Sequence, residues 1–331
     1  MRTQISSEIG RPTETLPPPF PAPTPSDWTG STFAKCGFGN GTVAIVAGLV
    51  ASFLAEKIGF VAPFDASLLL LLVGGAIIYT QWRENYGTAD AVARANSGWD
   101  NFKKAWTLVV TSERVMLLGV IQSAFESAMF IFVFMWTPAL ESALRTASVS
   151  TGVGGAAPAL PHGVVFAGFM VCTMIGSKAY EMMVALRPVE HAARWVFVVA
   201  SAALAVPILF GGSHNMVLSG FCVFEVCCGM YWPAAGTMRQ KFIQEEVRST
   251  VMNFFRVGLN LIVVLVLINI DYLQTDTVFL LCTLLLTVAT LAQHRLFVLT
   301  EQNQSPLDRQ RAGLEVGEEM DDVLKQKQPQ D

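Results

Sequence analysis

Three charged residues stand inside long apolar runs of this sequence: Glu126, Glu225 and Arg256. At the centre of a membrane-spanning helix such a charge costs about 2.5–3.5 kcal/mol, so each needs a partner or a wet cavity. Arg256 has polar company. Asn253, Arg256 and Asn260 are spaced i, i+3, i+7 and fall on one helix face. A guanidinium flanked by two amides suits a tetrahedral oxyanion, because arginine presents a planar fork of donors. Two other readings stay open: Arg256 extends to the aqueous edge, or it pairs with Glu225 on the preceding span. Gln122 and Glu126, four residues apart, share a face of another span. Glu126 is read as a group for proton coupling or gating rather than for binding, since a carboxylate repels a dianion directly; a structural hydrogen bond between helices is the alternative.

The elements that must position these residues follow from composition. Of 331 residues, 52% are hydrophobic and only 15% charged, against about 25% in a typical soluble domain. The mean hydropathy is +0.47. This excludes an ordinary soluble enzyme, a nucleic-acid binder and a disulfide-stapled secreted domain. Eight apolar runs, near 41–59, 63–82, 115–138, 163–182, 193–211, 215–236, 250–270 and 276–297, are long enough to cross about 30 Å of hydrocarbon. Their continuity argues for helices rather than barrel strands. The expected architecture is an all-α polytopic bundle in the bilayer.

Lysine and arginine orient the spans. With loops assigned alternately to two sides, 19 basic residues fall on one side and 2, Lys57 and Arg145, on the other. The basic side reads as cytoplasm and holds both termini. Residues 1–35 read as a disordered leader in which Pro17-Pro18-Pro19 favours polyproline II. Residues 36–83 hold two spans joined tightly at Gly59–Pro63. A cytoplasmic connector at 84–113 carries an amphipathic stretch, Trp99–Trp106. Six spans fill 114–298, and 299–331 form a disordered tail. The segment 141–161 reads as an outer loop.

Other features carry less. Ala44, Gly48, Ala51 and Ala55 form a small-residue face for close helix packing. Pro138, Pro207 and Pro233 are placed near span ends. Arg239, Lys241, Glu245, Glu246 and Arg248 read either as a latch between conformations or as a solvated loop. The six cysteines form no C-x-x-C pair, and the four histidines are scattered, so neither a metal nor another cofactor is expected. Hydrolase, zincin, phosphate-loop and dinucleotide signatures are absent, which argues against an enzyme. The sequons at Asn40 and Asn303 fall on the cytoplasmic side and should stay bare.

Several segments resemble the molybdate-anion transporter family of the major facilitator superfamily: Val61-Ala62-Pro63-Phe64, Trp82 through Gly87, Gln122 through Pro138, Gly229 through Pro233 and Asn253 through Val257. The run around Glu126 is the most specific. The resemblance implies a twelve-helix carrier of two six-helix lobes, working by alternating access on molybdate or a similar oxyanion in the plasma membrane, with proton coupling as an option; the sequence does not fix the oligomeric state, and a monomer is the default expectation. On that template the eight spans are helices five to twelve, and the chain is expected to be a truncated form lacking the first four. The rival expectation is a non-transporting membrane protein, a remnant or an interaction partner of a full-length copy.

Overall fold

The computed structural model of the protein describes residues 25–82, 98–150 and 160–302. Among these, nine α-helices and one 3-10 turn account for the regular structure: α1 Pro25–Lys57, α2 Ala62–Gln81, α3 Gly98–Thr111, α4 Glu113–Ser150, α5 His162–Val184, α6 Val189–Phe210, α7 His214–Phe242, α8 Glu245–Ile268 and α9 Thr275–Gln302, with the turn at Ile270–Tyr272 before α9. All except α3 are long and apolar enough to cross a membrane, so the described residues hold eight candidate spans, as read from the sequence.

Helices α4 to α9 form one lobe. Helix α4 packs against α7, α8 and α9; α6 packs against α7 and α9; α5 packs against α7. Aromatic side chains fill the centre. Phe132 meets Phe169, Phe221 and Phe224, and Phe125 meets Phe197, Phe224 and Tyr231. Such rings remove large areas from lipid and fix helix registers by their edge and face preferences.

Helix α1 lies against α5 and α7. Its small-residue face continues to Gly41 and Gly37, where a Cβ would meet Met174 at 2.5 Å and the Ser177 hydroxyl at 2.7 Å. These glycines allow the backbones to approach closely. The α1–α2 hairpin turns at Gly59, whose φ of +136° suits a residue without a Cβ. Helix α2 buries none of its residues. A helix apolar all round has the composition of a membrane span.

Several boundaries differ from the sequence reading. Helix α1 begins at Pro25, inside the stretch read as leader, because proline is tolerated in a first helical turn. Helix α4 runs on through Ser150, into the expected outer loop. The residues from Ala139 to Arg145 are mostly good helix formers, and Glu141 and Arg145 pair one turn apart at 3.7 Å. Pro138, Pro207 and Pro233 all lie within helices. The amphipathic stretch of the connector forms α3, which packs on α8 and α4. Phe102 and Trp106 set their rings against Phe254, with centroids 5.1 and 5.6 Å apart. The Pro-rich run at 17–19, Asn303 and the tail lie outside the described residues.

Candidate functional site

Two buried polar centres and one exposed polar face occupy the membrane-spanning part. The first centre joins α4 to α7. Glu126 is about 20 Å along α4 from Glu113 at 1.5 Å per residue. Arg239 donates from Nη2 to Glu126 Oε1 at 2.9 Å, and the Tyr231 hydroxyl donates to the same oxygen at 2.9 Å. Gln122 Nε2 reaches Glu126 Oε2 at 3.5 Å. The side chains of Arg239 and Glu126 are 19% and 7% exposed, so this pair sits largely outside the reach of solvent screening. Tyr231 is held by Phe125, whose ring stacks on it with centroids 4.1 Å apart. Gln122 Oε1 and Arg239 Nε are buried without a hydrogen-bond partner among the described residues.

Sequence reasoning placed Gln122 and Glu126 correctly on one face but missed Tyr231 and left Arg239 among the loop charges. Arg239 stands in the last turn of α7, yet its long side chain turns back into the bundle. Of the other charges in that cluster, Lys241 pairs with Glu190 at 2.5 Å, and Arg248 donates to the Ile243 carbonyl at 3.1 Å. They tie helix ends together rather than standing in a solvated loop.

The second centre joins α5 to α7. Glu225 lies about 17 Å along α7 from His214 and is buried. Thr173 Oγ1 is 3.0 Å from Glu225 Oε2. The two helices touch backbone to backbone here. A Cβ on Gly176 would fall 2.0 Å from the Val226 carbonyl oxygen, and one on Gly229 would fall 2.0 Å from the Thr173 carbonyl oxygen. Only glycine permits this approach, which brings Thr173 within reach of the carboxyl group.

The expected pairing of Arg256 with Glu225 does not form. Helix α8 packs on α4 and α3, whereas Glu225 turns from α7 toward α5. The buried stripe of α8 is Val247, Val251, Phe255 and Leu259, at intervals of four. Asn253, Arg256 and Asn260 project from the opposite side, and all three are exposed. Arg256 Nη1 donates to Asn253 Oδ1 at 3.4 Å. Among the described residues no carboxylate lies within ion-pair distance of this guanidinium.

The sequence comparisons agree with this architecture. A family described as sugar transporters with 12 transmembrane spans matches residues 24–231. The chain belongs to this family of the major facilitator superfamily. A curated molybdate-anion transporter of Xenopus tropicalis is 32% identical over 297 residues, covering 86% of this chain and 61% of that protein. One of Xenopus laevis is 31% identical with the same coverage. One of Takifugu rubripes is 28% identical over 266 residues, covering 72% of this chain and 52% of its own length. The chain thus spans about 61% of the length of the two Xenopus relatives. No solved structure matches it. The resemblance read from the sequence and the facilitator-type helical bundle are both borne out.

Proposed function

We propose that this chain acts in a carrier that moves molybdate or a similar tetrahedral oxyanion across the membrane by alternating access. The observation that carries this reading is Arg256, an exposed cation on a membrane-spanning helix whose hydrogen-bond partner among the described residues is the Asn253 amide. A guanidinium on a membrane-spanning helix with no carboxylate partner among the described residues is disfavoured unless an anion or water meets it. Asn253 and Asn260, on the same face, extend the donor array. The molybdate-anion transporters among its relatives point to the same substrate class.

Gln122 and Glu126 take a gating role in this reading. Their contacts with Arg239 and Tyr231 bind α4 to α7, and a pair that forms in one state and parts in another biases a conformational equilibrium. The carrier is coupled to proton movement, works as a monomer in the plasma membrane, and keeps both termini in the cytoplasm, following the bias of basic residues.

Tracer molybdate uptake tests the binding role. Losing charge-assisted hydrogen bonds worth about 1.5–3 kcal/mol, Arg256→Ala should lower uptake by roughly ten- to hundredfold. Arg256→Lys keeps the charge but not the fork, and should fall between. Undiminished uptake in both variants ends the binding role. No uptake by the unaltered protein favours a non-transporting membrane protein instead.

A further inference from the structure

Glu126 and Glu225 are both buried on membrane-spanning helices yet differ in company. Glu126 has a cation, a phenol and an amide around it. Among the described residues Glu225 has a single hydrogen-bonding neighbour, the neutral hydroxyl of Thr173. An ionised carboxylate buried there without a counter-charge is costly, and one hydroxyl does not offset it.

The hydrogen bonds at Thr173 carry the argument further. Its Oγ1 is 3.1 Å from the Phe169 carbonyl oxygen and 3.0 Å from Glu225 Oε2. A hydroxyl has one proton to donate. The carbonyl can only accept, and the bond to a carbonyl one turn earlier is the usual habit of threonine within a helix. Both contacts are full hydrogen bonds only if the carboxyl group supplies the second proton, with Oε2–H donating to Thr173 Oγ1. Ser177, one turn further along, has to share its proton between two carbonyls, those of Thr173 and Gly229, each 3.2 Å away. Thr173 is under no such constraint, because one of its neighbours can carry a proton.

We infer that Glu225 is held as the neutral acid by Thr173 and is the group that takes up and releases the coupled proton. This rests on the proposed carrier function and names the site of its coupling. On release, the proton passes from Oε2 to a water molecule and leaves the carboxylate; on uptake, the same bond re-forms.

The surroundings are consistent with a group that charges only when water reaches it. Cys172 on α5 and Cys222 and Cys228 on α7 are thiols nearby. On α4, Glu126 is engaged by Arg239 and Tyr231. On α6, Glu190 is engaged by Lys241 at the far end of the bundle. Helix α1 places Lys35 and Cys36 next to Gly37, which meets Ser177 rather than Glu225. Among the described residues no cation lies within ion-pair distance of Glu225, so nothing opposes its neutral form.

Two measurements on the full chain in lipid vesicles decide the matter. Infrared spectroscopy should show the carbonyl stretch of a protonated carboxyl group at neutral pH. The band should vanish as pH rises and should be missing in Glu225→Gln. Its persistence in that variant, or its absence from the unaltered protein, overturns the inference. The second measurement is molybdate accumulation driven by an inward acid gradient, where each pH unit supports about a tenfold ratio per coupled proton. Glu225→Gln, whose amide donates to Thr173 as the acid does, should lose this accumulation but keep molybdate exchange at equal pH. Unchanged accumulation in the variant overturns the inference. If the unaltered protein does not move molybdate, the carrier reading fails, and the infrared result still decides whether Glu225 is the protonated group.

Discussion

The α5–α7 crossing can be tested by adding one methyl group. In Gly229→Ala the new Cβ would stand 2.0 Å from the Thr173 carbonyl oxygen, 2.8 Å from its carbonyl carbon and 3.0 Å from the Ser177 amide nitrogen. All three are backbone atoms, so no side-chain rotation relieves the overlap. Bringing the oxygen out to the 3.4 Å of ordinary contact parts the helices by about 1.4 Å at this point. A gap of 0.5–1 Å already forfeits a quarter to a half of each dispersion contact along the crossing. Overpacking of this kind costs typically 1–3 kcal/mol, and a backbone-to-backbone clash belongs at the upper end. At roughly 2–4 °C per kcal/mol, melting in detergent should fall by about 5 °C or more. Gly74→Ala is the control. It lies on α2 with nothing within 4 Å of its Cβ, so the added methyl meets open space and the helix gains propensity. Its melting temperature should hold or rise slightly. Equal melting of Gly229→Ala and the unaltered protein would refute the close crossing, and with it the position of Thr173 beside Glu225.

Three further outcomes follow from the same contacts. Glu126→Gln and Arg239→Gln should each destabilise the lobe by about 3 kcal/mol, because each leaves its former partner buried and unpaired. The double variant should cost much less than the two together, as a double-mutant cycle of thermal melting reads directly. Tyr231→Phe removes one donor to Glu126 while keeping the stack on Phe125, and should cost about 1 kcal/mol in the same assay. Phe254→Ala deprives Phe102 and Trp106 of their shared ring contact, so protease cleavage within α3 should speed up several-fold while the melting of the six-helix lobe changes little.

The number and order of the spans were legible, though not all of their ends, because continuous apolarity over about 20 residues has few other physical solutions. The hairpin at Gly59 was legible for a related reason: too few residues separate its two spans for any other path. Which side chain meets which was not. Glu225 and Arg256 stand on consecutive spans and carry opposite charges, so pairing them is reasonable from sequence. The packing of α8 on α3 and α4 sends Arg256 the other way. Arg239 stands near a helix end, where sequence logic assigns a solvated charge, and only the position of α4 shows that its side chain folds inward. The α5–α7 crossing left a trace in Gly176 and Gly229, but one glycine on each of two helices becomes a contact only once the helices are known to be neighbours. The small-residue face of α1 was easier, since its spacing repeats along a single helix.

In the proposed carrier, the two buried carboxyl groups would divide the work that proton coupling requires. A gate needs a charge pair whose partners sit on different helices, so that separating the helices breaks it. Glu126 and Arg239 meet that condition across α4 and α7. A proton carrier needs the opposite environment, in which no cation compensates the ionised form and the neutral form has a hydrogen-bond acceptor of its own. Glu225 meets that one across α5 and α7. Both centres share α7, the first through Tyr231 and Arg239 and the second through Glu225 itself. A shift of α7 that opened the Glu225 side to water would therefore also strain the Glu126–Arg239 pair. Proton release and gate opening would then be linked through one rigid element, without a direct contact between the two carboxyl groups.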